Sequence, residues 1–165
     1  MTSEAENPNN LSLINDVMHE HEAIDASIKS LRNSNHDLAD AFELVQKSDW
    51  TQDNINLLLD KLSNLKDRLS DLADGFKIHF KVDEAAFLPM MGDLMVRAIR
   101  IEHQNMLKEL DEIRQLQNGI TAQTVKEIGP VIISKTDSLI QSIETHVRRE
   151  TDMLQLISRV FKTES

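Results

Sequence analysis

The sequence contains no cysteine and no tyrosine, only four glycines and three prolines, and aromatic residues make up 4% of it. Without cysteine, disulfides, thiolate metal sites and thiol catalysis are excluded, while the redox compartment stays open. The scarcity of glycine, proline and clustered β-branched residues argues against a sheet. No apolar run approaches the roughly 20 residues needed to span a bilayer. The polar start, Met1 to Asn10, lacks the apolar core of a signal peptide, so a cytoplasmic location is expected, with 1–10 as a disordered tail. Basic residues are outnumbered by acidic ones, 18 to 28, and form no cluster. A net charge of −10 repels phosphate backbones and anionic lipid, which makes nucleic acid and membrane surfaces poor partners.

What is present is material for helices. Leu, Ile, Ala, Asp, Glu and Lys dominate, and 165 residues with 40% hydrophobic content suffice for one domain with a sizeable core. Apolar residues recur in a 3-4 alternation that keeps one stripe of a helix against a partner. The first series is Ile14, Val17, His21, Ile24, Ile28, Leu31, Asn35, Leu38, Phe42, Val45 and predicts a helix from about Leu11 to Gln46. After a break in which Thr51 is a candidate N-cap, the second series runs Ile55, Leu58, Leu62, Leu65, Leu69, Leu72, Phe76, His79, Asp83, Ala86 and stops near Pro89 to Gly92. The third, Val96, Ile99, His103, Met106, Leu110, Ile113, ends at Asn118-Gly119, a pair that tolerates positive φ. The fourth, Ile132, Thr136, Leu139, Ile143, His146, Glu150, Met153, Ile157, Val160, is expected to start just after Pro130. Residues 121–128 are left as either a separate turn or a kinked extension. The expectation is an all-α, up-down-up-down four-helix bundle over 11–161.

The seams carry an anomaly. His21, His79, Asp83, His103, His146 and Glu150 stand at inward positions otherwise filled by Ile, Leu, Val, Phe or Met. Each buried polar group without a partner costs on the order of 1–3 kcal/mol, and more for a carboxylate. Six of them require a common partner, and a bound cation supplies one. At about 1.5 Å per residue, His21, His79 and His103 fall at one height near one end of an up-down bundle, with His146 close by. His79 and Asp83 are four residues apart, as are His146 and Glu150, so each pair projects from one helix face. The chain also echoes itself, Glu20-His21 matching Glu102-His103, and His79 to Asp83 matching His146 to Glu150, which predicts a pseudo-twofold site. Four imidazoles and two carboxylates suit iron, manganese or zinc better than calcium or magnesium. Bridging carboxylates and an oxo or hydroxo group would give two six-coordinate ions one free position each.

A single His-x-x-x-acid spacing carries little weight in a chain with 28 acidic residues, but a seam holds about two positions in seven, and all six candidates fall on one. His19 and His36 lie off the seams and read as solvated surface residues. Met18, Met90, Met91, Met95, Met106 and Met153 are spread over several helices, which suits core filling rather than a soft-metal site. Phe76, Ile24, Ile99 and Ile143 are placed to pack around the ions, and Asn35 reads as a register-setting polar residue. A phosphotransfer bundle would need an exposed His, commonly within His-x-x-Lys-Gly, and ferritin-like di-iron enzymes would show Glu-x-x-His repeats; neither is present.

These residues resemble the hemerythrin and HHE cation-binding family, whose pattern is a lone His, His-x-x-x-Glu, a second lone His and His-x-x-x-Glu/Asp on successive helices. The segment His79 to Pro89 is similar to the family's second helix in its His, its paired acids and its closing Pro. The resemblance implies two non-haem iron ions, oxo- or hydroxo-bridged, held by His21, His79, Asp83, His103, His146 and Glu150. It also implies binding or sensing of dioxygen, peroxide or nitric oxide rather than a dedicated enzyme activity, with iron storage, delivery or repair of iron centres as the alternative. A metal-free helical interaction module is the remaining one. Two departures stand out: Asp83, followed by Glu84, replaces the usual Glu, and Ile99 and Leu107 flank His103 where dioxygen carriers have a further His.

Overall fold

A computed structural model describes residues 8–163. Three continuous helical elements, Pro8–Lys47, Gln52–Asn118 and Val125–Thr163, make up this part of the chain. The middle one is two helices, because Gly92 at φ 74°, ψ 170° leaves the helical region altogether. That conformation is open to glycine and strained for other residues. We therefore number Pro8–Lys47 α1, 52–91 α2, 93–118 α3 and Val125–Thr163 α4. The expected four-helix, all-α, up-down-up-down bundle is the observed architecture, without strands among the described residues. None of these helices is long and apolar enough to cross a membrane.

Local chemistry accounts for most boundaries. Proline is well suited to the first helical position, and α1 starts at Pro8 rather than Leu11. Of the tail expected to be disordered, 8–10 thus form the first turn, and 1–7 lie outside the described residues. Thr51 caps α2, its side chain accepting from the Asn54 backbone N–H at 3.3 Å. The α3 stop at Asn118-Gly119 is observed, but by a different route from the one expected. Gly119 sits at φ −91°, with its N–H shared among the carbonyls of the last turn, and Gly92 alone has positive φ among the described residues.

The start of α4 differs from expectation as well. The helix begins at Val125 and passes through Pro130. Backbone bonds from Val125 N to Thr121 O and from Ile128 N to Thr124 O, both 2.9 Å, form a turn upstream of the proline. Val125 is fully buried and anchors it. Pro130 removes one hydrogen bond near the helix start, where few turns depend on it. Just before it, Gly129 lies against the Phe42 ring of α1, where a Cβ would fall 2.0 Å from Cζ.

Nearly every seam residue is buried, with Ile55 half-buried. The fourth seam departs from the others at its end: Met153 and Ile157 are half-buried, Val160 is 50% exposed, and Leu154 is buried in their place. A straight helix of 3.6 residues per turn drifts out of a strict 3-4 register, and the inward position moves from Met153 to Leu154.

The buried residues form two apolar clusters. The larger fills most of the bundle and reaches Ile24, Phe76, Met106 and Ile143. The smaller joins Ile14, Val17, Ala86, Phe87, Val96, Ile99 and Leu154. Between them the six polar seam residues form a layer across all four helices.

Candidate metal centre

Each lone histidine or His-x-x-x-acid pair belongs to a different helix, and the antiparallel packing brings all six side chains to one level, each at most 4% exposed. Helix α1 brings His21, α2 His79 and Asp83, α3 His103, and α4 His146 and Glu150. The side-chain atoms form two overlapping groups: His21, His79, Asp83 and Glu150 in one, and His103, His146, Asp83 and Glu150 in the other. Within each group the ligand atoms lie within 4.8 Å of one another, so each is able to hold a metal ion. Asp83 and Glu150 belong to both. The imidazole pairs also match in pose, with ring centroids 5.0 Å apart for His21–His79 and 4.9 Å for His103–His146, both edge-on. The pseudo-twofold arrangement expected from the internal echo is thus present.

The four Nε2 atoms face inward. Those of His103 and His146 are 3.1 Å apart. Glu150 divides its oxygens between the halves: Oε2 lies 3.3 Å from His21 Nε2 and 3.7 Å from His79 Nε2, while Oε1 lies 2.9 Å from His146 Nε2 and 3.8 Å from His103 Nε2. Asp83 uses one oxygen for both, Oδ2 being 3.2 Å from His103 Nε2 and 3.8 Å from His79 Nε2.

The outward Nδ1 atoms are held by residues that seam reasoning did not single out as site residues. Nδ1 of His79 donates to Glu20 at 3.2 Å, that of His103 to Glu84 at 3.3 Å, and that of His146 to Glu102 at 2.7 Å. Nδ1 of His21 meets the Thr151 hydroxyl at 2.8 Å. Each outer group is adjacent in sequence to an inward one, but so is Glu22, which lies against the exposed His19 instead, so adjacency alone does not pick them out. Glu84, next to Asp83, therefore faces the back of His103 instead of the centre, and its other oxygen accepts from Arg100 Nε at 2.8 Å. Phe80, also off the seam, stacks on His103 with centroids 3.8 Å apart and planes 11° from parallel. His19 and His36 are exposed, His19 lying 3.6 Å from Glu22.

The electrostatics of the layer are those of a crowded, buried cluster. Burial pushes the Asp83 carboxyl up to about 7, aided by the Glu150 charge and opposed by His103. Glu150 goes the other way. Burial would raise it, but the imidazoles of His103, His146, His21 and His79 hold it well below the usual carboxylate range. His103 is raised to about 9, because Asp83 and Glu150 outweigh a burial effect that would lower it. His79 is raised for the same reasons, with Glu150 and Asp83 overcoming burial.

The orphaned atoms of these residues fit a cation. His79 Nε2, both oxygens of Asp83 and Glu150 Oε1 are buried without hydrogen-bond partners. All four point into the two overlapping groups, and all are of the imidazole and carboxylate type that binds transition metals. Fixing Nδ1 by a hydrogen bond leaves Nε2 with its lone pair inward, the tautomer a metal requires. Between α3 and α4 a groove of about 420 Å³ is lined by Glu102, Asn105, Ser142, Thr145, Arg149 and His146.

Searches of curated proteins and of solved structures find no match. A family model does match: that of the hemerythrin HHE cation-binding domain, over residues 12–156, a span that takes in all six inward polar residues and all four groups behind the histidines. The chain therefore belongs to the hemerythrin HHE cation-binding domain family.

Proposed function

We propose that the bundle is a non-haem di-iron protein that binds or senses dioxygen, peroxide or nitric oxide. His21 and His79 would hold one ion and His103 and His146 the other, with Asp83 and Glu150 shared between the two groups. The observation that carries this reading is the division of Glu150, one oxygen toward each imidazole pair. A carboxylate placed so is already in a bridging pose, and Asp83 belongs to both groups on the other side. The shorter Asp side chain still reaches both halves through Oδ2.

When bound, the iron pair supplies reversible one-electron chemistry and positions at which a small ligand coordinates. The chain's own residues do the rest. The outer groups set each imidazole's tautomer and orientation. The apolar clusters on both sides exclude water and keep the dielectric low. Binding is favoured over turnover because, among the described residues, the buried titratable side chains are the six that face the ions, the carboxylates of Glu20, Glu84 and Glu102 are taken up by the rings they back, and the sequence has no tyrosine to donate a proton. A cytoplasmic setting, as expected from the sequence, belongs to the same proposal.

The test is metal content together with the ultraviolet-visible spectrum of aerobically purified protein, for the wild type, His79→Ala and His146→Ala. The expected result is about two irons per chain and near-ultraviolet oxo-bridge bands that both variants lose. Absence of bound metal, with no ferrous uptake under anaerobic conditions, would overturn the proposal. Rapid loss of iron to a mild chelator would favour storage or delivery over sensing.

A further inference from the structure

The two halves of the layer are alike in their inner atoms and unlike in what stands behind them. Behind His103 is Glu84, clamped by Arg100, and behind His146 is Glu102, clamped by Arg149. Phe80 lies flat against the His103 ring as a further constraint. Behind His79 is Glu20, which has no arginine partner among the described residues. Behind His21 is the neutral hydroxyl of Thr151. The internal echo maps Glu20 onto Glu102 and Glu84 onto Thr151. One pair of outer groups keeps the pseudo-twofold relation, and the other breaks it.

The break has a direction. A carboxylate accepting the Nδ1 proton polarises the ring and makes Nε2 a better donor to a metal, and such ionised hydrogen bonds are about twice as strong as neutral ones. A guanidinium on the carboxylate's second oxygen draws off part of that charge but fixes the acceptor, and with it the ring, in the ligating orientation. The inner distances lean the same way: Asp83 Oδ2 is closer to His103 than to His79, 3.2 against 3.8 Å, and Glu150 is closer to His146 than to His21, 2.9 against 3.3 Å.

We infer that the two half-sites bind divalent transition-metal ions unequally: the His103/His146 half fills first, and the His21/His79 half, backed by Thr151 and an unclamped Glu20, is the weaker and more exchangeable one. The inference rests on the two-ion reading above and adds to it a populated one-ion state of defined location. Glu84 and Thr151 are its positioning residues, acting through His103 and His21.

Counting binding steps does not test this, because shared carboxylates make the first ion weaken the second even between identical halves. Location does. Metal-free full-length protein labelled with nitrogen-15 in its histidines is given one equivalent of cobalt(II), and the paramagnetic shifts of the four ring resonances, each assigned by its own His→Gln variant, are recorded. Strong shifts at His103 and His146, with His21 and His79 carrying about a tenth of the occupancy, are expected. The double variant E84T/T151E, checked for helicity, should move the preference toward His21 and His79. Equal effects on all four rings of the wild type overturn the inference and leave the two-ion reading standing. A folded double variant that keeps the original preference overturns the roles of Glu84 and Thr151. Failure of the wild type to retain any cobalt overturns the metal reading, and the inference with it.

Discussion

The Nε2 atoms of His103 and His146 lie 3.1 Å apart in the buried centre of the bundle. His103, raised to about 9, places a proton between the two nitrogens at neutral pH, and a bound cation would displace that proton and take both lone pairs. Two ligand atoms at right angles, each roughly 2.1 Å from one ion, are about 3 Å apart, so the pair is spaced for a shared ion as it stands.

Loading the layer with metal should therefore stabilise the fold as a whole. An ion present at about 100 times its dissociation constant contributes roughly 2.7 kcal/mol, or about 5–10 °C in Tm for a chain of this length. Calorimetry of chelator-treated protein with and without added ferrous ion measures it, and an unchanged Tm would contradict a site inside the folded core.

The pH dependence has a definite sign. His103, raised from 6.5 to about 9, contributes stability to the metal-free fold that is complete below about pH 6.5 and lost as pH rises through 9. Asp83, raised from 3.8 to about 7, favours the fold in its neutral form, so stability also falls as pH climbs from about 4 through 7. Glu150, held below 4.5, acts only under more acidic conditions. Metal-free protein should thus be less stable to urea at pH 9 than at pH 6. Metal binding should tighten over the same range and release protons, measurable by titration calorimetry in buffers of different ionisation enthalpy.

Asp83→Asn should separate stability from binding. At pH 8 the Asp83 carboxylate is buried and charged beside Glu150, with the His103 imidazole 3.2 Å away as its counter-charge, and a neutral amide relieves the burial cost and the repulsion. Metal-free stability at pH 8 is expected to rise by on the order of 1 kcal/mol and to lose its fall between pH 4 and 7. Metal content per chain should drop below two. Urea denaturation and metal analysis of the same preparation check both.

Two glycines should fail for different reasons. Gly129→Ala drives a methyl into the Phe42 ring and should cost about 1–3 kcal/mol through overpacking. Gly92→Ala meets nothing within 4 Å, so its cost, also about 1–3 kcal/mol, is backbone strain alone. Combining Gly129→Ala with Phe42→Leu should recover part of the first loss, and no side-chain change should recover the second.

The six inward polar residues are legible in the sequence because they interrupt an apolar period, and helix rise alone puts His21, His79 and His103 at one height with His146 close by. The groups behind the histidines are not. Glu20, Glu84 and Glu102 sit on helix flanks, where acidic residues are commonplace, and periodicity cannot tell which of them bends toward a ring nitrogen. Asn35 was legible as a register device, and it donates to Ile133 O and to Asp137 Oδ1, tying α1 to α4. The end of the fourth seam was misread for a geometric reason: a pattern extended at a strict 3-4 spacing stays in register on paper, whereas a straight helix rotates Val160 toward solvent and Leu154 inward. The preference of proline for the first helical turn predicts a start just after Pro130, whereas Thr121 and Thr124 set the turn upstream.

The polar layer divides the interior into two unequal cores, and its thermal behaviour follows. Buried apolar contact does not join the large cluster to the small one; besides the helix backbones, six titratable side chains lie between them. Without a cation those side chains are a seam of weakness, and the short stack of Ile14, Val17, Phe87, Val96, Ile99 and Leu154 beyond them is free to melt as its own unit. With cations in place, the same side chains become rivets, and the two cores unfold as one.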